Sequence, residues 1–108
     1  MVDVDRMRAD LLTARKARDK VTEVALKRAL AAFDNAAAPP VQDHVNLHRP
    51  GPQEVPRLEL GSGDYVRIIE AELAEAEVAA AQYEAGGRPD AAARLRAESE
   101  VLRRYLRV

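Results

Sequence analysis

The sequence predicts an all-α fold, a four-helix single domain in which a long antiparallel C-terminal helical hairpin packs on two N-terminal helices. Three observations predict it. Apolar residues recur at steps of three and four through four separate stretches; the pairs Pro39-Pro40 and Gly86-Gly87 mark where two of them stop; and the apolar fraction of 47% rests largely on Ala, Leu and Val, with Phe33, Tyr65, Tyr83 and Tyr105 as the aromatics. Side chains this small favour close helix packing over a ligand cavity.

The first helix is read over Asp3 to Ala17, where Met7, Leu11 and Ala14 share one face. Asp19 is placed to cap the second helix, whose Val21, Val24, Ala25, Leu30 and Phe33 again fall at helical steps as far as about Ala37. Pro39-Pro40 ends it, because proline lacks the amide hydrogen and pushes the residue before it out of the α region. Residues 38–63 then read as a proline-rich irregular loop, long enough to be a functional or a mobile segment, in which Val55 to Leu60 alternates as though extended.

The hairpin occupies residues 64–108. Ser62 or Asp64 is placed to cap its first arm, and Val66, Ile69, Leu73, Ala76, Ala80 and Tyr83 form a heptad-like seam. Gly86-Gly87 supplies the left-handed stop, and Pro89 and Asp90 suit the first turn of the next helix. Its seam is Ala92, Leu95, Ser99, Leu102 and Leu106. Two helices cannot hide both apolar faces alone, so the first two helices are expected to cover the hairpin, with a dimer as the other solution.

The chain of 108 residues suits one domain, which buries roughly two thirds of its unfolded surface. With no cysteine there is no disulfide, thiolate nucleophile or Cys-based zinc site, and the reducing cytoplasm is the simplest setting. The acidic start, followed by Arg6 and Arg8 without an apolar run, does not read as a secretory signal, and no window approaches the ~18 apolar residues of a membrane span. The net charge of -1 hides a dipolar distribution: residues 1–36 carry +2, residues 37–63 carry -1, residues 64–86 carry -5 and residues 87–108 carry +3. No strongly basic surface for DNA is implied.

Two stretches carry a family resemblance. Ala17-Arg18-Asp19-Lys20 precedes the Ala/Leu-rich run Ala25 to Ala36 containing Phe33-Asp34-Asn35, and Tyr83-Glu84-Ala85-Gly86-Gly87-Arg88-Pro89-Asp90 leads through Leu95-Arg96-Ala97-Glu98 to Val101-Leu102-Arg103-Arg104-Tyr105-Leu106. The pattern resembles the GatB/YqeY family, specifically the helical N-terminal domain of YqeY-like proteins. That resemblance implies an all-α domain and, through likeness to the C-terminal region of the GatB subunit, a link to the enzyme that amidates mischarged tRNA. It carries no catalytic residue, since that chemistry belongs to other domains and subunits. Family chains continue after the "YL" with a proline and a second small domain resembling the tRNA-contacting tail; here Arg107-Val108 closes the sequence, so that domain is expected to be missing.

Read for chemistry, the residues point away from catalysis. His44 and His48 with Asp43 invite a metal reading, but a proline-rich loop offers no further positioned ligand, so no metal is expected. Glu70, Glu72, Glu75 and Glu77 read as a solvated helical face instead of an acid–base set. Gly61 and Gly63 flank a serine with no phosphate-loop lysine after it, so no cofactor is expected either. The basic residues make the better case: Arg96, Arg103 and Arg107 along the last helix, and Arg15, Arg18 and Lys20, with Arg8 and Lys16, near the end of the first. Glu98 and Glu100 are expected to dilute the last-helix patch by ion pairing along the helix.

The expected function is thus a non-catalytic helical binding or adaptor module with a protein partner, linked to translation or tRNA amidation. An accessory tRNA-binding protein using the basic faces is the second reading, and a carbon–nitrogen ligase acting only within a larger complex the third.

Overall fold

In the computed structural model the chain forms α1 (Val4–Ala17), α2 (Lys20–Ala37), α3 (Ser62–Ala85) and α4 (Pro89–Leu106). The structure describes residues 1–38 and 58–107. The expectations for His44, His48 and most of the proline-rich loop fall outside those residues. Within its described end, Leu58 donates its amide to the Ala37 carbonyl at 2.8 Å, and Leu60 packs on the core without regular structure while Leu58 stays exposed.

Each helix begins and ends for a local reason. Asp3 accepts from the Arg6 amide at 3.0 Å, and Asp19 accepts from the Thr22 amide at 3.1 Å, satisfying amides that the first turn leaves without partners. α3 starts slightly earlier than the expected Ser62 or Asp64 cap. Gly61 is the cap position, and Asp64 reaches back to accept from the Gly61 amide at 2.7 Å, which is half of a capping box. At the other end Gly87 has φ 80°, and Arg88 donates to the Tyr83 carbonyl at 2.7 Å. That is the Schellman closure the glycine pair predicted.

α1 closes the same way without glycine. Arg18 has φ 57°, and the Asp19 amide reaches the Ala14 carbonyl at 2.9 Å.

α2 is the hub, packing against α1, α3 and α4, while α3 and α4 lie along one another as the hairpin. The core gathers Met7 and Leu11 from α1, Leu26, Ala29 and Phe33 from α2, Ile69 from α3, and Val101 and Leu102 from α4. Phe33 and Tyr65 meet edge to face with centroids 4.8 Å apart, an arrangement that the ring quadrupoles favour. The buried face of α2 is wider than the expected one: Ala25 and Phe33 are buried as spaced, with Val21 and Leu30 partly so, while Leu26 and Ala29 are fully buried as well and Val24 is exposed. A helix touched by three others buries a wider stripe than one periodic set defines.

The hairpin seam is otherwise as spaced, with Ile69, Ala76 and Ala80 buried on α3 and Ala92, Ser99 and Leu102 on α4. Tyr83, at the far end of the expected seam, is exposed. The covering of the hairpin by α1 and α2 leaves its tip bare: every residue from 81 to 90 is exposed.

Candidate functional site

The basic residues singled out by sequence fall in two places. Arg15, Arg18 and Lys20 gather at the α1–α2 turn. There Glu23, in the first turn of α2, is reached by Lys20 Nζ and Arg15 Nε, each at 3.3 Å. The Lys20 contact, with Arg15 adding to it, holds the Glu23 carboxyl below its ordinary range. Asp19 is likewise lowered, by the Thr22 hydroxyl and then the Thr22 amide. Arg18 has no ion-pair partner among the described residues. Arg104 of α4, not singled out by sequence, borders a hollow with Asp19, Thr22 and Tyr105, and its charge acts on Asp19. Its place beside this turn depends on the packing of α4, which no local pattern encodes.

The second set is on α4. Arg96 crosses the hairpin to Glu77, with Nη2 3.1 Å from Oε1, and also meets Glu84. Arg103 and Arg107 both reach Glu100, at 3.0 and 3.1 Å. These hydrogen bonds lower the Glu77 and Glu100 carboxyls and raise the Arg96 guanidinium. The acidic third helix and the basic fourth thus neutralise one another in part across their interface. As exposed pairs they add little to stability, but they leave less uncompensated positive charge to attract phosphate.

Glu98 departs from expectation. Instead of pairing along its helix as Glu100 does, it is 4% exposed, and its Oε1 faces Arg28 of α2 at 3.5 Å without accepting a hydrogen bond among the described residues. The charge of Arg28 also acts on Glu72, whose carboxyl is nevertheless raised, first by burial and then by neighbouring Glu75. Glu72 and Glu77 are therefore not a plain solvated ladder: one is half-buried and the other is committed to Arg96. The Arg28–Glu98 pairing had no sequence signal, because its members are distant in the chain and each fits an ordinary helix surface.

Two hydroxyl–carboxylate contacts have structural roles. Thr22 to Asp19, at 2.7 Å, belongs to the α2 cap. Tyr105 donates to Asp10 at 2.6 Å and ties α4 to α1; burial, then that hydrogen bond, raises the phenol well above its ordinary value, which makes it a poor proton donor. Among the described residues no group of three His, Cys, Asp or Glu could hold a metal ion, and no helix is long and apolar enough to cross a membrane.

Against known proteins, one family model, described as Yqey-like protein, matches residues 4–107. Neither the curated proteins nor the solved structures yield a match. The matched span runs from the first residue of α1 to the last described residue, so it includes both helix pairs and both turns.

Proposed function

We propose, from the premise that this chain belongs to the YqeY-like family, that it is a non-catalytic helical binding module whose hairpin engages a protein of the translation or tRNA-amidation machinery. The observation that carries this reading is the upper half of the hairpin. Every residue from 81 to 90 is exposed there, and Val78 and Tyr83 lie open to solvent beside charges already matched between the two arms. A two-helix ridge with exposed apolar side chains on more than one face and balanced charge suits a protein surface better than a phosphate backbone.

The test is affinity capture of the tagged chain from cells, with and without ribonuclease, followed by cross-link mapping. The reading expects a translation-linked protein that survives ribonuclease, cross-links to residues 76–90, and is lost with Val78→Asp. Retention of nothing above background, or cross-links confined to the α1–α2 turn, would count against it.

A second reading draws support from the α1–α2 turn, where neither Arg18 nor Arg104 makes an ion pair within 4 Å among the described residues, although Arg104 acts on Asp19 by charge, and Lys20 and Arg15 stand near. It makes the chain an accessory tRNA binder with steeply salt-dependent affinity. A gel shift decides: retardation at low salt that disappears when Arg15, Arg18, Arg103 and Arg107 become Glu supports it, and absence of retardation removes it.

A further inference from the structure

α2 crosses the hairpin from one arm to the other. Its N-terminal end lies beside α4, where Asp19 and Thr22 share a hollow with Arg104, and its C-terminal end lies beside α3, where Phe33 meets the Tyr65 ring. Between these ends Arg28 stands with carboxylates from both arms about it: Glu98 of α4 at 3.5 Å, and Glu72 of α3, on which its charge also acts. Glu98 is nearly closed to solvent, and its Oε1 accepts no hydrogen bond among the described residues.

Such a contact is a poor source of stability. A carboxylate taken out of water loses its hydration, and one cation that leaves an oxygen without a donor does not make up the loss, whereas an apolar pair of similar volume avoids it. What the contact supplies is position. The apolar surface of α2 nearly repeats every four residues: Ala25 and Ala29 are both fully buried, and so is Leu26, with Leu30 packed at the edge of the core. Sliding α2 along its own axis by one turn would put alanine where alanine stood and leucine where leucine stood. Phe33 marks the α3 end, but it fixes one point of the crossing and not its angle. Arg28 differs, because the residues four places before and after it are Val24 and Ala32, and neither carries a charge to set against a buried carboxylate.

We propose that Arg28 and Glu98 form a register lock, a contact that lowers stability but admits only one crossing of α2 over the hairpin. Glu72 ties the second arm to the same cation. The lock thereby sets the direction in which the bare tip, residues 81–90, leaves the bundle. It goes beyond the binding reading above and holds whatever the tip engages.

The experiment removes both charges. Arg28→Met together with Glu98→Leu puts apolar side chains of comparable reach in both places. The chain has no cysteine, so spin labels at Ala31→Cys and Gln82→Cys, both exposed positions, report one distance between α2 and α3 by pulsed electron resonance. The parent should give a single narrow distance. The double variant should unfold at a urea concentration equal to or above the parent's and yet give a broadened or second distance, displaced by about 5 Å, one helical turn. Each single change should lower the urea midpoint, Arg28→Met more than Glu98→Leu, since the first strands a buried carboxylate while the second leaves a partly exposed arginine that can turn to water. A double variant that keeps one narrow distance, or that unfolds at lower urea than the parent, would overturn the lock, and loss of its helices by circular dichroism counts as the latter.

Discussion

The lower and upper halves of the α3–α4 hairpin carry the same helical spacing of apolar residues but bury them by different means. Below, Ile69 is fully buried, and Val101 and Leu102 are nearly so, because α2 lies over the two arms and Met7 and Leu11 of α1 complete the core. Above, the seam is made of Ala76, Ala80 and Ala92, small enough to be hidden by the opposite arm alone, while Val78 is 60% exposed. Large side chains need a third helix to cover them, whereas alanines let two backbones approach and leave little apolar surface over. Side-chain size along one seam therefore decides where the protein is a bundle and where it is a free ridge.

The comparison can be broken most strongly at its base. Ile69→Ala should cost about 2–5 kcal/mol in urea unfolding, since the surrounding helices relax only partly into the cavity. A loss below 1 kcal/mol would show that the lower half is not the stabilising core. In the upper half the opposite change is the damaging one: Ala80→Leu should cost about 1–3 kcal/mol by forcing the arms apart, again read by urea unfolding.

The two turns sharpen the contrast further. Gly87→Ala meets no atom within 4 Å, so its expected loss of about 1 kcal/mol is purely the conformational strain at φ 80°. Arg18→Gly should relieve the same strain at φ 57° and raise thermal stability by less than about 1 kcal/mol, part of the relief being offset by the greater freedom of glycine in the unfolded chain.

Tyr105 ties the base together and gives it a pH dependence on the alkaline side. Its folded pKa is raised, so the neutral phenol is favoured in the native state and its stabilisation is complete below the ordinary tyrosine value near 10. Stability should fall as pH rises above that value, and Tyr105→Phe should flatten the slope in alkaline thermal melts. The smallest effect belongs to the free ridge: Val78→Ala should change stability by no more than about 0.5 kcal/mol. A larger loss would mean that the upper half is packed after all.

Much of the fold was legible because its instructions are local. An aspartate before a helical run, proline after one, a glycine pair followed by Arg88-Pro89, and apolar residues at steps of three and four act through neighbouring backbone groups, and they located all four helices. Legibility failed where a position depends on a distant partner. Val24 fits the helical spacing as well as Leu26 does, and only the contact of α2 with three other helices buries one and exposes the other. Arg18 in a left-handed conformation has no signal of its own, since arginine seldom takes that place. Charge pairs followed the same rule: Glu100 with Arg103 could be read along one helix, but Glu77 with Arg96 and Glu98 with Arg28 could not.

The sequence by itself determined the helices, their ends and the pairing of the last two into a hairpin, because hydrogen bonds within a helix and φ preferences at a turn involve residues a few positions apart. Tertiary structure alone decided which basic side chains were neutralised, which half of the hairpin stayed uncovered, and that Glu98 would be enclosed beside Arg28. Burial and charge compensation are properties of space shared between helices, and the same glutamate would be an ordinary solvated residue had α2 packed a turn away.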